Sequence, residues 1–336
     1  MSALHESSVG AAAPTVSVVL PVYNGEPYLV EALESILGQT FGDFELIAVC
    51  DPSSSDNSRN LLDDAARRDS RVHVLEGPIR NLVAALNLGL ARARGEFIAR
   101  MDADDVSLSN RFARQVEYLR AHRDIAVVGS TITLIGASGA VIREIDYPLT
   151  PAKIDRFLIE VGCALAHPTA MARRDAILSV GGYRGQFEHA EDYDLWLRMA
   201  ERYSLANLPD RLLRYRHHDR KDSLRHATAQ QLATHVARLC AKARRAGRSD
   251  PLEGRSSLSF DDLDRFDLGV GEREAIMRDV MGAAAIDLSG AAVHMSLQAG
   301  IRLAVVAGLR RVLPAVWFER LRNLVRRMPA DVAHDH

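Results

Sequence analysis

Residues 16–40 read VSVVLPVYNGEPYLVEALESILGQT and combine two hydrophobic patterns that decide the fold class. The run 16–23 is dense in β-branched residues, as in a strand buried on both faces, whereas 27–39 carries apolar residues at helical spacing. The alternation continues, with predicted strands at 44–50, 71–76 and 96–102 and predicted helices at 54–69 and 81–95. Strands that alternate with helices of this length predict βαβ units. The predicted fold class is therefore α/β, with a mostly parallel sheet flanked by helices.

The second half of the chain is less regular. The elements predicted there are two strands, at 125–136 and 141–148, and four helical segments, near 152–161 and at 191–203, 224–247 and 274–328. Small and polar residues dominate the first positions of the chain. We therefore expect three regions: a disordered leader (1–14), one α/β domain (15–223) and a helical C-terminal extension (224–330).

The composition of the 336 residues is that of a globular protein, with 47% hydrophobic and 26% charged residues. The formal net charge of −2 argues against a general nucleic-acid-binding protein, because such proteins need a basic face to contact phosphates. Cys50, Cys163 and Cys240 are far apart and are expected to be reduced thiols. No uncharged apolar run reaches about 18 residues, so no membrane-spanning helix is predicted. Together these features predict a cytoplasmic location.

Three carboxylates lie within four positions where the fourth predicted strand ends, in EFIARMDADDVS at residues 96–107. Asp102, Asp104 and Asp105 repel one another, and the repulsion must be offset by a bound cation or by helix N–H groups. Ligands of doubly wound sheets bind beyond the carboxyl ends of the strands, where this cluster is expected. The structural alternative is that all three are turn and N-cap residues of a helix that starts near Ser109.

Five motifs occur in the order and spacing of a known enzyme family. They are VSVVLPVYNGEPYLVEALESILGQT (16–40), ALNLGLARARGEFIARMDADD (85–105), HPTAMARRDAILSVGGY (167–183), EDYDLWLRMA (191–200) and LLRYRHH (212–218). Through them, roughly residues 15–220 resemble the family 2 glycosyltransferases of the GT-A fold, which are mostly inverting and use nucleotide-sugar donors. The resemblance implies transfer of one sugar from a nucleoside-diphosphate sugar, with a UDP-sugar favoured, to a hydroxyl of a polysaccharide or lipid-linked glycan.

The resemblance assigns the acidic cluster to the D-x-D motif of the family. Asp104 would bind Mn²⁺ or Mg²⁺, and Asp102 would contact the ribose or lie close to the metal. A hard divalent cation held by carboxylates neutralises charge that develops on a leaving diphosphate. His218 follows Tyr-Arg, as a histidine does in many relatives, and is the second candidate metal ligand; a surface histidine is the alternative.

The motif EDYDLW supplies the candidate catalytic base. An acceptor hydroxyl is a poor nucleophile until its proton is removed, and the resemblance gives this role to Asp192. Glu191 and Trp196 of the same motif, and His167 of the HPTA segment, are expected to line the acceptor site. The structural alternative is that acids are favourable in the first turn of any helix, and that His167 is a packed core residue.

The resemblance places the nucleotide-sugar site in loops at the strand ends. Its predicted residues, besides Asp102, are Pro21, Tyr23, Asn24, Glu26, Asp51, Arg80, Asn87 and Ala103. One loop departs from the family pattern, because Cys50 and Pro52 in CDPSSSDNS replace an acid and a glycine. Proline pushes Asp51 toward an extended conformation, so donors based on UDP, GDP-mannose and dTDP all stay open.

Two further predictions concern the whole protein. Segment 301–327 carries seven arginines, one acid, Trp317 and Phe318, which is typical of a helix pair at a membrane surface, here the cytoplasmic face of the inner membrane. The alternative is a helix pair packed on the catalytic domain with its arginines solvated. The rival to an enzyme is a catalytically silent glycan-binding or scaffold protein of the same fold, which the altered CDPSSSD loop would suit.

Overall fold

The computed structural model describes residues 13–218 and 226–291. Most of the predicted leader and the whole of segment 301–327 lie outside these residues. Within them, nine strands form one sheet. The strands are β1 (Val16–Val22), β2 (Phe44–Cys50), β3 (Val72–Glu76), β4 (Phe97–Arg100), β5 (Val106–Ser107), β6 (Ile125–Ile135), β7 (Val141–Ile145), β8 (Met171–Arg173) and β9 (Ser204–Arg216).

Strands β1 to β4 form the parallel half of the sheet. They pair in the order β3-β2-β1-β4, and each pairing is parallel. Helices α1 (Leu29–Leu37), α2 (Ser58–Arg68) and α3 (Leu82–Arg92) connect them. The predicted βαβ units are therefore confirmed, although each helix is shorter than its hydrophobic pattern because the flanking residues form loops at the sheet edges.

The central strands of this half are buried on both faces. Leu20, Leu46 and Phe97 have no exposed surface. Helix α3 packs directly on β1, where a Cβ atom at Gly89 would lie 2.5 Å from Val19 Cγ1. Only glycine permits so close an approach of helix and strand. The dense β-branched runs of the sequence thus correspond to strands covered by helices.

The other half of the sheet is mixed. Strand β8 is antiparallel to β4 and β6, β9 is parallel to β6, and the short strands β5 and β7 are antiparallel to their neighbours. Strand β9 therefore ends, at Arg216, on the same side of the sheet as β4. Neither β8 nor β9 is predicted by the sequence pattern. Consecutive residues of β6 pair with Leu208 and then with Arg211 of β9, so Pro209 lies in a bulge. A proline within a run of residues argues against a strand, which is why the sequence pattern did not predict β9.

The chain forms two compact units. The first runs to Phe157 and includes Cys163–Tyr183 and Met199–His217; the second consists of Leu158–Gly162, Arg184–Arg198 and the chain from His218. The remaining helices are α4 (Arg111–Ala121), α5 (Pro151–Glu160), α6 (Arg174–Ser179), α7 (Glu191–Ala200), α8 (Ala227–Arg245) and α9 (Val270–Ala291). The predicted boundary between 15–223 and 224–330 stays a prediction.

Two general features of the described residues bear on the sequence predictions. None of their helices combines the length and apolarity that crossing a membrane requires. The cysteines are free thiols, with Cys50 and Cys240 buried and Cys163 partly buried. Cys50 ends β2, and its pKa is raised, chiefly by burial. A buried thiol of raised pKa is a packing residue and not a nucleophile.

Candidate active site

The loops that follow β1 to β4 gather at one edge of the sheet, because neighbouring parallel strands end on the same side. Tyr23 follows β1, Asp51 follows β2, Arg80 lies in the loop after β3, and Asp102 lies just after β4. The structure therefore brings four of the predicted nucleotide-site residues to one edge of the first unit.

The acidic loop, residues 102–105, holds three carboxylates in a small volume. One side-chain oxygen from each of Asp102, Asp104 and Asp105 lies within 4.8 Å of the others. Asp102 and Asp104 are partly exposed, whereas Asp105 is buried. Carboxylate oxygens are the ligands that hard divalent cations such as Mn²⁺ and Mg²⁺ prefer, so this donor set fits such an ion.

One arginine side chain and one main-chain N–H group offset part of the negative charge of the acidic loop. Arg100, which is only 6% exposed, forms an ion pair with Asp102. Burial lowers the pKa of Arg100, but Asp102 and the other anionic neighbours outweigh it and raise the pKa. Arg216 donates its main-chain N–H to Asp105 Oδ1 at 2.8 Å. The protein itself therefore offsets part of the repulsion among the three carboxylates, a role that the sequence pattern ascribed to a cation or to helix N–H groups.

Asp51 is held by the loop that contains Pro52. Its Oδ1 accepts hydrogen bonds from Ser53 N at 2.8 Å and Ser53 Oγ at 2.7 Å, and its Oδ2 accepts one from Arg80 N at 2.6 Å. Burial raises the pKa of Asp51, but these hydrogen bonds outweigh it and lower the pKa below its usual value. Asp51 is therefore an ionised group that accepts hydrogen bonds and donates none.

Tyr23 and Arg80 form a stacked pair next to Asp51. The Arg80 guanidinium lies 4.2 Å from the centroid of the Tyr23 ring. Both side chains are exposed, Tyr23 by 41%. An exposed aromatic and guanidinium pair is a surface on which a planar base can stack.

Asn24 and Glu26 connect the loop after β1 to the loop after β2. Ser55 N donates to Asn24 Oδ1 at 2.8 Å, and Asn57 N donates to Glu26 Oε2 at 3.1 Å. The two loops thus support each other. Pro21 is a partly buried residue of β1, and Ala103 lies between the carboxylates of the acidic loop. Nucleotide contacts by these four residues stay predictions.

Asn87 and His167 both contact Tyr183. The Asn87 amide donates to Tyr183 O at 2.8 Å and accepts from Tyr183 N at 3.0 Å. His167 is 7% exposed, and its Nε2 lies 2.8 Å from Tyr183 Oη. Burial, and then the charge of Arg100, lower the pKa of His167 well below its ordinary value, so the ring is neutral. The sequence predicted that Asn87 contacts the nucleotide-sugar and that His167 lines the site of the acceptor substrate. Both contacts stay predictions.

Helix α7 carries the candidate base. Asp192 is partly exposed in the first turn, where its Oδ1 accepts a hydrogen bond from Tyr193 N at 2.7 Å. Glu191 and Trp196 are only 5% and 1% exposed. Asp192 therefore has the most accessible side chain of the three residues predicted on this helix, and the roles of all three stay predictions.

His217 and His218 directly follow β9. His217 is exposed and His218 is partly buried. Among the described residues, the group of side chains with metal-ligand spacing consists of the three aspartates of the acidic loop. A metal-binding role for His218 stays a prediction.

A buried ion network, which no sequence pattern predicted, holds α7 within the second unit. Asp194, with no exposed surface, accepts from Arg184 Nε at 3.0 Å and from Arg198 Nε at 2.9 Å. Arg184 Nη1 and Arg244 Nη1 both contact Asp250 Oδ2, at 2.7 Å and 2.6 Å. These five residues form the α7 network. The i,i+4 spacing of Asp194 and Arg198 could have indicated part of it, because such residues share a helix face.

The α7 network predicts a loss of stability in acid. Burial raises the pKa of Asp250, but the Leu252 N–H and the charges of Arg184 and Arg244 outweigh it and lower the pKa to about 2. This value lies below the roughly 3.9 of an unfolded aspartate, so the stabilisation is present above about pH 4 and is lost as the pH falls toward 2. We expect Asp250→Asn to reduce the free energy of unfolding by about 2 kcal/mol at pH 7, and by progressively less below pH 4.

Urea unfolding of the wild type and Asp250→Asn between pH 7 and pH 3 measures this difference. Glu253→Gln, at an exposed acid three residues away, is the matched control and should behave like the wild type at every pH. A deficit of Asp250→Asn that is the same at pH 7 and pH 3 would contradict the prediction.

Comparison with known proteins identifies a matching family model and several relatives. The model of glycosyl transferase family 2 matches residues 17–181. The O-antigen biosynthesis glycosyltransferase WbnJ of Escherichia coli is 38% identical over 208 residues, which are 61% of this chain and 80% of that protein. The amylovoran biosynthesis glycosyltransferase AmsE of Erwinia amylovora is 32% identical over 206 residues, 60% of this chain and 75% of that protein.

Solved structures agree on the fold. The mannosyltransferase PcManGT from Pyrobaculum calidifontis, in complex with GDP-Man and Mn²⁺, has a TM-score of 0.52 at 20% identity, covering 94% of this chain and 85% of its own. S. aureus TarS 1-349 in complex with UDP-GlcNAc has a TM-score of 0.52 at 16% identity, with coverages of 93% and 86%. These likenesses confirm the predicted α/β class of GT-A type. The identity and coverage of the Escherichia coli relative establish the family, and this chain is a glycosyltransferase that belongs to family 2.

Proposed function

We propose that this glycosyltransferase moves one sugar from a nucleoside-diphosphate sugar to a hydroxyl of a polysaccharide or lipid-linked glycan, with inversion at the anomeric centre. The observation that carries the proposal is the sheet edge of the first unit, where the acidic loop and the Asp51, Arg80 and Tyr23 group follow neighbouring parallel strands. A nucleoside diphosphate has the two chemical parts that suit such an edge, a planar base and a diphosphate that needs positive charge beside it.

Asp104 and Asp102 would hold Mn²⁺ or Mg²⁺, with His218 as a further candidate ligand. The cation, when bound, neutralises charge that develops on the leaving diphosphate. Arg100 holds the Asp102 carboxylate through its ion pair, and the Nε of Arg216 holds the main-chain oxygen of Asp104 at 2.8 Å. Carboxylates fixed in this way need little reorganisation during the reaction. The PcManGT structure with GDP-Man and Mn²⁺ supports a metal in a protein of this fold.

The Asp51 carboxylate favours a nucleotide base that offers an N–H donor. An ionised carboxylate accepts hydrogen bonds only, and Oδ2, which takes Arg80 N, can accept a second one. Uracil and thymine offer a ring donor at N3–H and guanine offers one at N1–H, whereas cytosine has an acceptor at ring N3 and can donate only from its exocyclic N4 amino group. The geometry therefore supports UDP-, GDP- and dTDP-sugars over CDP-sugars, and the resemblance to the family puts UDP-sugars first, with GDP-mannose and dTDP-sugars as alternatives.

Asp192 is the proposed base that takes the proton of the acceptor hydroxyl, so that direct in-line attack inverts the anomeric centre. Glu191, Trp196 and His167 are the proposed acceptor-site residues. The names of the relatives that act in O-antigen and amylovoran biosynthesis support a glycan acceptor. Segment 301–327 is the proposed contact with the cytoplasmic face of the inner membrane, because its arginines and aromatic residues suit an anionic interface.

Calorimetric titration of UDP, GDP, dTDP and CDP, each with and without Mn²⁺, tests the donor proposal. We expect one of the first three to bind in a Mn²⁺-dependent manner and CDP to bind least. Asp104→Asn should weaken the Mn²⁺-dependent binding by at least about 100-fold, because loss of a direct ligand exceeds the 10- to 100-fold cost of losing an outer-shell partner. Asp124→Asn, at an exposed acid outside the site, is the control and should bind like the wild type.

The possible outcomes separate the parts of the proposal. Binding that does not respond to Mn²⁺ or to Asp104→Asn would contradict the metal site alone. Tight binding of CDP would contradict the preference of Asp51 for a ring N–H donor. Absence of binding by all four nucleotides would contradict the donor class and would favour the glycan-binding alternative, with Pro52 as its structural cause.

A further inference from the structure

Arg216, the last residue of β9, is an almost completely buried arginine behind the acidic loop, with 2% exposure. Its Nε donates to Asp104 O at 2.8 Å, and its main-chain N–H donates to Asp105 Oδ1 at 2.8 Å. Its Nη2 pairs with the carboxylate of Glu31 on α1, and its guanidinium lies 4.5 Å from the centroid of the Tyr28 ring. One residue therefore connects β9, α1 and the acidic loop.

A second set of contacts ties Arg216 to the turn between β6 and β7. Its Nη1 lies 3.2 Å from Ala137 O and 3.4 Å from Gly136 O. A guanidinium carries five N–H donors in a fixed plane, so one side chain can serve all these acceptors together. The single ammonium group of a lysine cannot reproduce this pattern. The position therefore needs arginine for its geometry as well as for its charge.

Charge and geometry predict opposite effects of Arg216 on cation binding. A positive charge next to the acidic loop repels a divalent cation and would lower its affinity. A fixed Asp104 main chain restricts the orientation of the carboxylate, which raises affinity because less conformational freedom is lost on binding. Glu31 pairs with the Arg216 guanidinium and offsets its charge, so the geometric effect is expected to be the larger one.

We propose that Arg216 is a positioning residue that raises the divalent-cation affinity of the acidic loop by holding the main chain of Asp104. The inference rests on the proposed function, because it requires Asp104 to be a metal ligand. Outer-shell partners of metal ligands typically contribute about 10- to 100-fold to metal affinity. The same range is expected here.

Electron paramagnetic resonance of free Mn²⁺, titrated into the full chain with and without saturating UDP, measures this affinity without an assay of transfer. Arg216→Lys keeps the charge and loses the planar contacts, and it should weaken Mn²⁺ binding by about 10- to 100-fold. Arg216→Met loses both and should weaken binding by a similar factor. Arg211→Lys is the matched control on the same strand, where the arginine pairs with Glu144 at 2.9 Å and Asp146 at 2.8 Å. It should bind Mn²⁺ within about 2-fold of the wild type, because partly exposed ion pairs contribute little.

The outcomes distinguish failure of the inference from failure of the proposed function. If the wild type and Asp104→Asn show the same weak Mn²⁺ binding, the metal site itself is wrong. If Asp104→Asn loses binding but both Arg216 variants bind like the wild type, the inference alone is overturned. Tighter Mn²⁺ binding by Arg216→Met than by the wild type would also overturn it, because charge would then be the larger effect.

Thermal unfolding of each variant shows whether it is folded. If neither Arg216 variant folds, Glu31→Gln provides the test, since Glu31 is largely exposed and its loss releases one contact of the guanidinium. We expect Glu31→Gln to weaken Mn²⁺ binding by about 2- to 5-fold, the range of one ion pair. Unchanged binding by that variant would then overturn the inference.

Discussion

Asp192→Asn is expected to lower kcat by about 10²- to 10⁴-fold, the usual contribution of a general base. An amide at this position keeps the size of the side chain and can still accept the hydrogen bond from Tyr193 N, which is 2.7 Å long in the structure. It cannot take a proton from an acceptor hydroxyl. The change therefore removes one chemical step and leaves the helix turn intact.

The measurement is release of nucleoside diphosphate from a panel of sugar donors that carry the nucleotide identified by calorimetry, with a panel of alkyl glycosides as acceptors. Affinity for the nucleoside diphosphate should stay within about 2-fold, because the proposed base acts on the acceptor. A reduction in kcat with unchanged donor affinity is the pattern of a group that acts in the transition state only.

Asp175→Asn is a closely matched control for Asp192→Asn. Asp175 also lies in the first turn of a helix, α6, and its Oδ1 accepts from the next main-chain N–H, of Ala176, at 2.7 Å. Its replacement should leave kcat unchanged. If Asp192→Asn and Asp175→Asn have the same kcat as the wild type, Asp192 is an ordinary helix-terminus acid, and the base is another residue.

Asp194→Asn is expected to reduce the free energy of unfolding by about 3–5 kcal/mol, the cost of removing one partner from a buried ion pair. Asp194 has no exposed surface and accepts from both Arg184 and Arg198. An asparagine amide turns an N–H₂ group toward donors and leaves two arginines without their shared counter-charge. Because Asp194 lies on the helix that carries Asp192, we also expect activity to fall even when the protein is folded.

Urea unfolding at pH 7, followed by circular dichroism, measures the effect of Asp194→Asn on stability. Asp264→Asn is the control, because Asp264 pairs with Arg273 at 2.5 Å but is 64% exposed. Exposed pairs contribute less than about 1 kcal/mol, so this variant should unfold close to the wild type. If the two replacements reduced the free energy of unfolding equally, burial of the α7 network would contribute nothing to stability, and the prediction would be wrong.

The predictions that succeeded from sequence depend on local patterns. The β-branched run 16–23 and the apolar run 44–50 correspond to β1 and β2, and the helical spacing between them corresponds to α1. The acids of EDYDLW mark the start of α7 at Glu191, as expected for the favourable end of a helix dipole. Strands of this kind can be recognised from the sequence because both of their faces are buried, so nearly every residue is apolar.

The elements that the patterns missed depend on contacts made far along the chain. Strand β8 has three residues, too few for any periodicity, and exists because it pairs with β4 and β6. In β9, Pro209 lies in a bulge, which the pairing with β6 accommodates. Neither strand could be inferred from its own residues, because the partners that stabilise them are distant in sequence.

By itself, the sequence determined the alternation of strands and helices, the family, and the position of Asp102 and Asp104 just beyond a strand, because each of these depends on residues adjacent along the chain. Only the tertiary structure decided how the charges of the site are offset. The pairing of the acidic loop with Arg216 spans more than one hundred residues, and Arg184 reaches both Asp194 and Asp250. The sequence gives the charge of each side chain, but the packing of segments that are distant along the chain determines which partner it contacts.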